Sequence, residues 1–357
     1  MVGGEKGSGK TETTKQLISF LAIADSVAGH DDRRFYDDKQ TLNEGKDDAD
    51  EGFVMRQLIA GFALLEAFGN AKIAHSPNSS RFMLYTQFNY SVTNMSIAQV
   101  SMQAILFEKS RLIAPFSMEK NGRNFHIFYQ MLHGLRATNL SLSKELFVNH
   151  AVEDFVILGY FAKAELEHDA LVSQFQTVWT SLCAMNCSAD DIRSIFSLLA
   201  GILHLGNILF EESVSEFEAV ELKSPLLDLR ELFRLIGVRE VDYQQMLDAI
   251  TMQSVEFNRR SVRVNLKVAT SQLVKQNVHS LMKHLYEGVF SWVLKLFSHI
   301  GPERPAHLSN EKYSIGVLDA FGFDYLEGRN SLEQLCSNLA AERFLDLYRH
   351  SSRAERL

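Results

Sequence analysis

The sequence has 357 residues, 46% hydrophobic and 22% charged, which suits a soluble globular chain with a large core and about two domains' worth of structure. Of the net charge of −8, −5 falls between Asp31 and Glu51, where nine acidic residues face four basic ones. The remainder is nearly neutral, so nothing argues for a nucleic-acid-binding surface, and the opening residues and apolar runs predict neither a signal peptide nor a membrane span.

In chain order, apolar spacing predicts a helix over 11–28, with Leu17, Ile18, Phe20, Leu21, Ile23 and Val27 on an apolar face. The acidic stretch 30–52 lacks apolar periodicity and is expected to be a surface loop. A second helix is expected over 53–67, ending near Gly69 and Asn70. Residues 82–92 and 100–107 read as strands, and Asn124–Leu135 as a short aromatic-rich helix. Cys183 and Cys187, four apart, are expected on one helical face as buried thiols, with no further zinc ligands nearby. Together with Cys336 they make an odd number, so no disulfide framework is implied. Ser188 and Asp191 form a capping box for a helix to His204. Met252–Asn265 reads as a hairpin with Asn258–Ser261 at its tip. A long helix from Lys267 to Ile300 is then broken by Pro302 and Pro305. Tyr313–Leu318 reads as a buried strand, and a last helix is expected from a capping box at Asn330–Glu333 to the C-terminus.

Three segments carry chemistry. Gly4-Glu5-Lys6-Gly7-Ser8-Gly9-Lys10-Thr11 matches a phosphate-binding loop. Its glycines let backbone N–H groups turn inward towards phosphate oxygens, and the following helix aims its positive end at the same place. In that pattern Lys10 reaches the β- and γ-phosphates and Thr11 ligates Mg²⁺. Such a loop should follow a buried strand, yet only Met1 and Val2 have strand character ahead of it. The second segment, Asn78-Ser79-Ser80-Arg81-Phe82, places two hydroxyls beside a guanidinium; alone it also reads as a solvated turn. The third, Asp319-Ala320-Phe321-Gly322-Phe323-Asp324, puts a carboxylate at a strand end, followed by a glycine whose N–H can meet a γ-phosphate.

The trio resembles the P-loop, switch I and switch II of the myosin motor domain. Segments between them agree in order: Leu65–Lys72, Phe107–Arg111, Arg123–Gln130, Ile202–Ile208 and Asn330–Cys336. Kinesin-like motors share the serine pair but not this switch II, and the intervening segments disfavour another P-loop enzyme such as a kinase or GTPase. The resemblance implies an α/β fold of the P-loop NTPase type, with a mixed central sheet surrounded by helices, here incomplete. It divides the chain into a loop and helix (1–29), an acidic surface loop (30–52), a switch I and upper-subdomain region (53–312), and switch II with a relay-like helix (313–357).

By the same resemblance the phosphates of ATP would lie on Gly4 to Thr11, with Ser76 and Asn78 contributing. Thr11 and Ser80 would be the side-chain ligands of Mg²⁺, with Asp319 behind them. Ser79 would orient the attacking water, Gly322 would meet the γ-phosphate, and Arg81 and Asp324 would close as a salt bridge. The function implied is an ATP-hydrolysing motor of the cytoplasmic actin cytoskeleton. The alternative is a truncated, catalytically weak or inactive relative that binds nucleotide or a partner. The hairpin tip, with Arg259 and Arg260, matches a loop that meets the acidic actin filament; a solvated basic turn is the other reading.

The sequence also departs from the pattern. Ser76 replaces an asparagine, Met83-Leu84 replace Gly-Lys, and Asp324 is one methylene shorter than the usual glutamate. The family's N-terminal strands and adenine-contacting segment, and its lower actin-binding subdomain, converter and lever arm, are not in this sequence. Light chains and cargo would be reached only through such regions, and the incomplete sheet predicts exposed apolar surface.

Overall fold

A computed structural model describes residues 1–2, 8–34, 47–73, 76–91, 97–113, 122–159, 168–211, 220–256, 263–267, 270–297, 312–320, 322–323 and 332–354. In chain order the main elements are α1 (Lys10–Arg34), α2 (Asp47–Gly69), β1 (Asn70–Ile73), β2 (Ser76–Ser80), β3 (Met83–Ser91), β4 (Ile97–Ile105), α3 (His126–Thr138), α4 (Leu140–Glu145), α5 (His168–Ala184) and α6 (Ala189–Leu205). They continue with β5 (Leu209–Glu211), β6 (Glu221–Lys223), α7 (Leu229–Leu235), α8 (Tyr243–Thr251), β7 (Met252–Glu256), β8 (Arg263–Lys267), α9 (Ser271–Leu296), β9 (Lys312–Asp319) and α10 (Leu332–Ala354).

The chain divides into two compact units. The first comprises Met1–Glu108, Thr177–Asn186 and Ser291–Leu357. Its centre is a three-stranded sheet in the order β4-β3-β9, with β3 antiparallel to both neighbours. β3 and β9 pair without interruption from Leu84↔Asp319 to Ser91↔Lys312. Val2 adds a parallel bridge on the outer side of β9: its N–H donates to Leu318 O at 2.8 Å, and its carbonyl accepts from Ala320 N–H at 3.4 Å. Val2 is therefore bonded as a strand residue beside the sheet, in the position that the loop motif demands. Beside the sheet, β1 and β2 form a separate antiparallel pair, Asn70 opposite Ser80 and Ala71 opposite Ser79. Asn78-Ser79-Ser80 has little intrinsic strand preference; pairing with the buried Asn70–Ile73 stretch, not propensity, makes it a strand.

Both helices around the acidic stretch run further into it than a loop over 30–52 allows. α1 continues to Arg34 and α2 already begins at Asp47. Asp47, Asp48, Asp50 and Glu51 thus belong to α2 and not to a loop. Residues 35–46 lie outside the described set. β9 is less buried than its apolar run predicts: Tyr313 and Ile315 are exposed, as are Leu332, Leu335 and Leu339 on α10.

The second unit comprises Lys109–Gln176 and Cys187–Phe290 and is mostly helical. The aromatic-rich helix reads correctly as α3, which buries Ile127, Phe128, Tyr129, Met131 and Leu132. Phe125 and Phe128 stack on the fully buried Tyr286 of α9 at centroid distances of 4.7 and 5.4 Å. Asn124, fully buried, donates to the carbonyls of Leu112 and Ile157 and accepts from Phe125 N–H, so its burial leaves no amide group unmet. The Ser188–Asp191 capping box is formed at the start of α6. The hairpin is β7–β8, but its tip, Asn258–Ser261, lies outside the described residues. α9 starts at Ser271 and not at Lys267, because Lys267 is still paired with Met252 in the hairpin.

The cysteine reading needs correcting. α5 ends at Ala184 and Asn186 turns with φ 60°, so the helical face that would bury both thiols stops short. Cys183 is exposed, Cys187 is half-buried, and neither forms a disulfide. Among the described residues no cluster of three His, Cys, Asp or Glu could hold a metal, and no helix is long and apolar enough to cross a membrane.

His204 on α6 gives the second unit a pH dependence. Its ring has no solvent exposure; Nε2 bonds the Phe147 carbonyl at 3.0 Å, and Nδ1 is buried without a partner. Burial lowers its pKa to about 4, against the bond to Phe147, and nearby His150 lowers it further. The unfolded chain, with an ordinary histidine, takes up a proton as pH falls below about 6.5 while the folded chain does not. This contribution is therefore present above pH 6.5 and is lost as pH falls towards 4. Between pH 7 and pH 5 it amounts to about 2 kcal/mol. Denaturant titration at the two pH values should show His204→Gln losing less stability than the wild type by about that amount; equal losses would contradict the assignment.

Candidate functional site

The site begins where α1 begins. Gly9 sits at φ 84°, a left-handed conformation that favours glycine, and its carbonyl accepts from the N–H and the hydroxyl of Thr13. That turn starts the helix at Lys10 and Thr11, placing both at its positive end. Thr11 Oγ1 donates to Asp319 Oδ2 at 2.8 Å, joining the helix start to the end of β9. Asp319 is only 7% exposed. Burial raises its pKa, while the Thr11 hydrogen bond and the charges of Lys10 and Lys15 act against that rise. Burial likewise lowers the pKa of Lys10, and Asp319 partly offsets this. A charged pair thus sits in a poorly solvated place, where each charge is worth more than in water.

The opposite wall is β2 and the bend after it. Ser79 is buried, Ser80 is half-buried, and Ser76 Oγ donates to the Asn78 carbonyl at 3.2 Å. Arg81 is held on all sides. Its N–H donates to Gly69 O at 3.0 Å, its carbonyl accepts from Glu108 N–H at 2.9 Å, and Nη1 donates to Ser79 Oγ at 3.2 Å. Its Nε donates to Glu108 Oε2 at 2.5 Å, and Nη2 pairs with the same carboxylate. Glu108 is a partner that residue-by-residue reading does not single out, although it lies in one of the segments resembling the family. Lys15 is a second such case, bridging Glu12 at 3.0 Å and Glu66.

These walls enclose an open cleft of about 220 Å³. Gly9, Lys10, Thr11, Ser76, Asn78, Ser79, Ser80, Arg81, Asp319 and Gly322 all line it. Ser8 is exposed at the loop's end and is not among the lining residues. Gly4, Glu5, Lys6, Gly7 and Asp324 lie outside the described residues, so the loop's crown and the Arg81–Asp324 bridge are expectations from sequence alone. Asn70 also lines the cleft: its Nδ2 donates to Asn78 Oδ1 at 2.8 Å, and its own Oδ1 is buried without a partner. Two hydroxyls and a carboxylate form an all-oxygen donor set, which suits Mg²⁺ better than a softer metal.

A helix start carrying lysine and threonine, beside a carboxylate at a strand end, is the arrangement of the P-loop class of folds. Within that class the chain belongs to the myosin head (motor domain) family, whose model matches residues 1–353. It is similar to unconventional myosin heavy chain 6 of Caenorhabditis elegans, 31% identical over 98% of this chain and 15% of that protein. Human unconventional myosin-XV is 30% identical over 98% of this chain and 9% of its own length. Myosin-2B of Naumovozyma castellii is 28% identical over 98% of this chain and 23% of its own. The chain thus spans less than a quarter of the length of each of these relatives.

Proposed function

We propose that this chain binds Mg²⁺-ATP in the cleft and hydrolyses it, as the nucleotide-handling part of an actin-based motor in the cytoplasm. The observation that supports this most is the Thr11–Asp319 hydrogen bond beside Lys10 and Ser80, in a chain of the myosin head family. On this reading the sheet around β3 and β9, with Val2, is part of the mixed central sheet of such a head.

The roles follow from chemistry and position. The backbone N–H groups of Gly4 to Gly9 cradle phosphate oxygens, and Lys10 neutralises the β- and γ-phosphates. Thr11 and Ser80 would hold Mg²⁺ through their hydroxyls, with Asp319 accepting from the Thr11 hydroxyl. When bound there, Mg²⁺ would supply charge neutralisation to the phosphates. Ser79, held by Arg81, orients the attacking water, and the Gly322 N–H stabilises the transferred phosphoryl group. Arg81 keeps Glu108 as its anchor and offers its remaining donors to Asp324 when the site closes. Ser76 and Asn78 line the phosphate side, and the β7–β8 hairpin faces the actin filament.

The test is calorimetry with ATP and Mg²⁺, followed by phosphate release with and without actin filaments. Saturable binding, weakened about 100-fold in Lys10→Ala by loss of a charge-assisted contact, is expected, with phosphate release raised by actin. A cooperatively melting chain that takes up no Mg²⁺-ATP would overturn the proposal.

A further inference from the structure

Asn70 has no role in the reading above, yet it is among the most buried polar residues of the first unit, 2% exposed. It is the first residue of β1, directly after the Gly69 carbonyl that receives Arg81, and its register partner is Ser80. One half of its amide is used: Nδ2 holds Asn78 Oδ1 at 2.8 Å. The other half, Oδ1, is a buried acceptor with no donor. A buried acceptor left unmet is costly, and such groups mark places where a donor arrives with a ligand. The residue lines the cleft on the side of Thr11, Ser80 and Asp319. It also lines an adjoining cavity of about 20 Å³ that Thr11, Ser80 and Asp319 share.

The chemistry of the missing donor is constrained. Mg²⁺ held by two hydroxyls and phosphate oxygens keeps several of its waters, and each of those waters must donate hydrogen bonds outward. Asp319 already accepts from Thr11. Asn70 Oδ1 is a neutral acceptor on a residue that lines the same two cavities as that carboxylate.

We propose that Asn70 is a positioning residue for the metal: its amide oxygen receives a hydrogen bond from a Mg²⁺-bound water, while its amide nitrogen holds Asn78 and thereby β2. One residue then links the metal's water shell to the strand that carries Ser79 and Ser80. This assignment rests on the proposed Mg²⁺-ATP site. It predicts that Asn70 sets Mg²⁺ affinity more than nucleotide affinity, as partners one step removed from a metal do.

The experiment is a Mg²⁺ titration of ATP binding by calorimetry, with binding in excess EDTA as the metal-free reference, for wild type, Asn70→Ala and Asn70→Asp. Asn70→Ala should weaken the apparent Mg²⁺ affinity about tenfold and leave binding in EDTA within about threefold. Asn70→Asp keeps an acceptor but loses the donor to Asn78, so it should restore Mg²⁺ affinity to the wild-type level or above. It is also the informative variant if Asn70→Ala fails to fold. If Asn70→Asp binds Mg²⁺ as weakly as Asn70→Ala, the bond to Asn78 accounts for the effect and the assignment is overturned. An Mg²⁺ affinity unchanged in Asn70→Ala overturns it as well. A folded wild type that binds no nucleotide with or without Mg²⁺ would sink the proposed function and this assignment together. A wild type with clear Mg²⁺ dependence that Asn70→Ala fully shares sinks the assignment alone.

Discussion

Replacing Glu108 with alanine should destabilise the first unit by about 3–5 kcal/mol, because it leaves the buried Arg81 guanidinium without its carboxylate. Arg81 is 8% exposed, and Glu108 Oε2 meets both its Nε and its Nη2. The remaining side-chain bond, to Ser79, is to a neutral hydroxyl and cannot compensate a charge. Glu108→Gln keeps the shape and one acceptor, so its loss should be clearly smaller. Urea titration would separate the two variants. The local consequence is larger than the global one, since Ser79 is held in place by the same arginine. If Glu108→Ala unfolds within about 1 kcal/mol of the wild type, the pair is solvated in solution and does not anchor the bend after β2.

The second large effect has the opposite sign for folding and for chemistry. Asp319→Asn should leave the nucleotide-free chain as stable as the wild type or more so, yet slow single-turnover ATP hydrolysis at least about 100-fold. Burial raises the pKa of Asp319, which means that its environment disfavours the carboxylate even with Thr11, Lys10 and Lys15 nearby. An amide in its place removes a poorly solvated charge and can still accept from Thr11. What it cannot do is hold negative charge beside the metal position. Losing a preorganised charge in a site of low polarity typically costs two to three orders of magnitude in rate. A marked fall in melting temperature of Asp319→Asn without nucleotide would show that the carboxylate is kept for the fold; an unchanged rate would remove it from the site.

The local parts of the site were legible in the sequence, and the parts made by distant partners were not. A glycine before Lys10-Thr11 and a helical pattern after it announce a helix start, and the structure places the left-handed Gly9 there. The compact run Tyr313–Leu318 reads as a buried strand for its apolar content; it is a strand, β9, but Tyr313 to Gly316 are exposed and only Val317 of that run is buried. By contrast, Asn78-Ser79-Ser80 reads equally well as a turn, because nothing local says that Asn70–Ile73 will pair with it. The acceptors of Arg81 and Lys15 lie 27 and 51 residues away in sequence, so charge alone at those positions could not pick Glu108 or Glu66 from the 44 acidic residues. The helices α4, α7 and α8 were not anticipated, and α5 only around Cys183. Those first three are shorter than ten residues, too short for periodicity to stand out. Cys183 shows the converse failure, a periodicity argument carried past the point where the helix ends.

The uninterrupted register between β3 and β9 restricts how the cleft can move. A slip of one residue would turn every side chain of β3 to the wrong face, so the strands cannot creep past one another by small steps. Asp319 and Met83–Ser91 therefore travel as one body. Ser80 lies only two residues from that body, across Arg81 and Phe82, both buried. Any opening or closing of the serine wall against the carboxylate must be absorbed by the dihedral angles of those two residues. The bonds of Arg81 to Gly69, Ser79 and Glu108 oppose such a change.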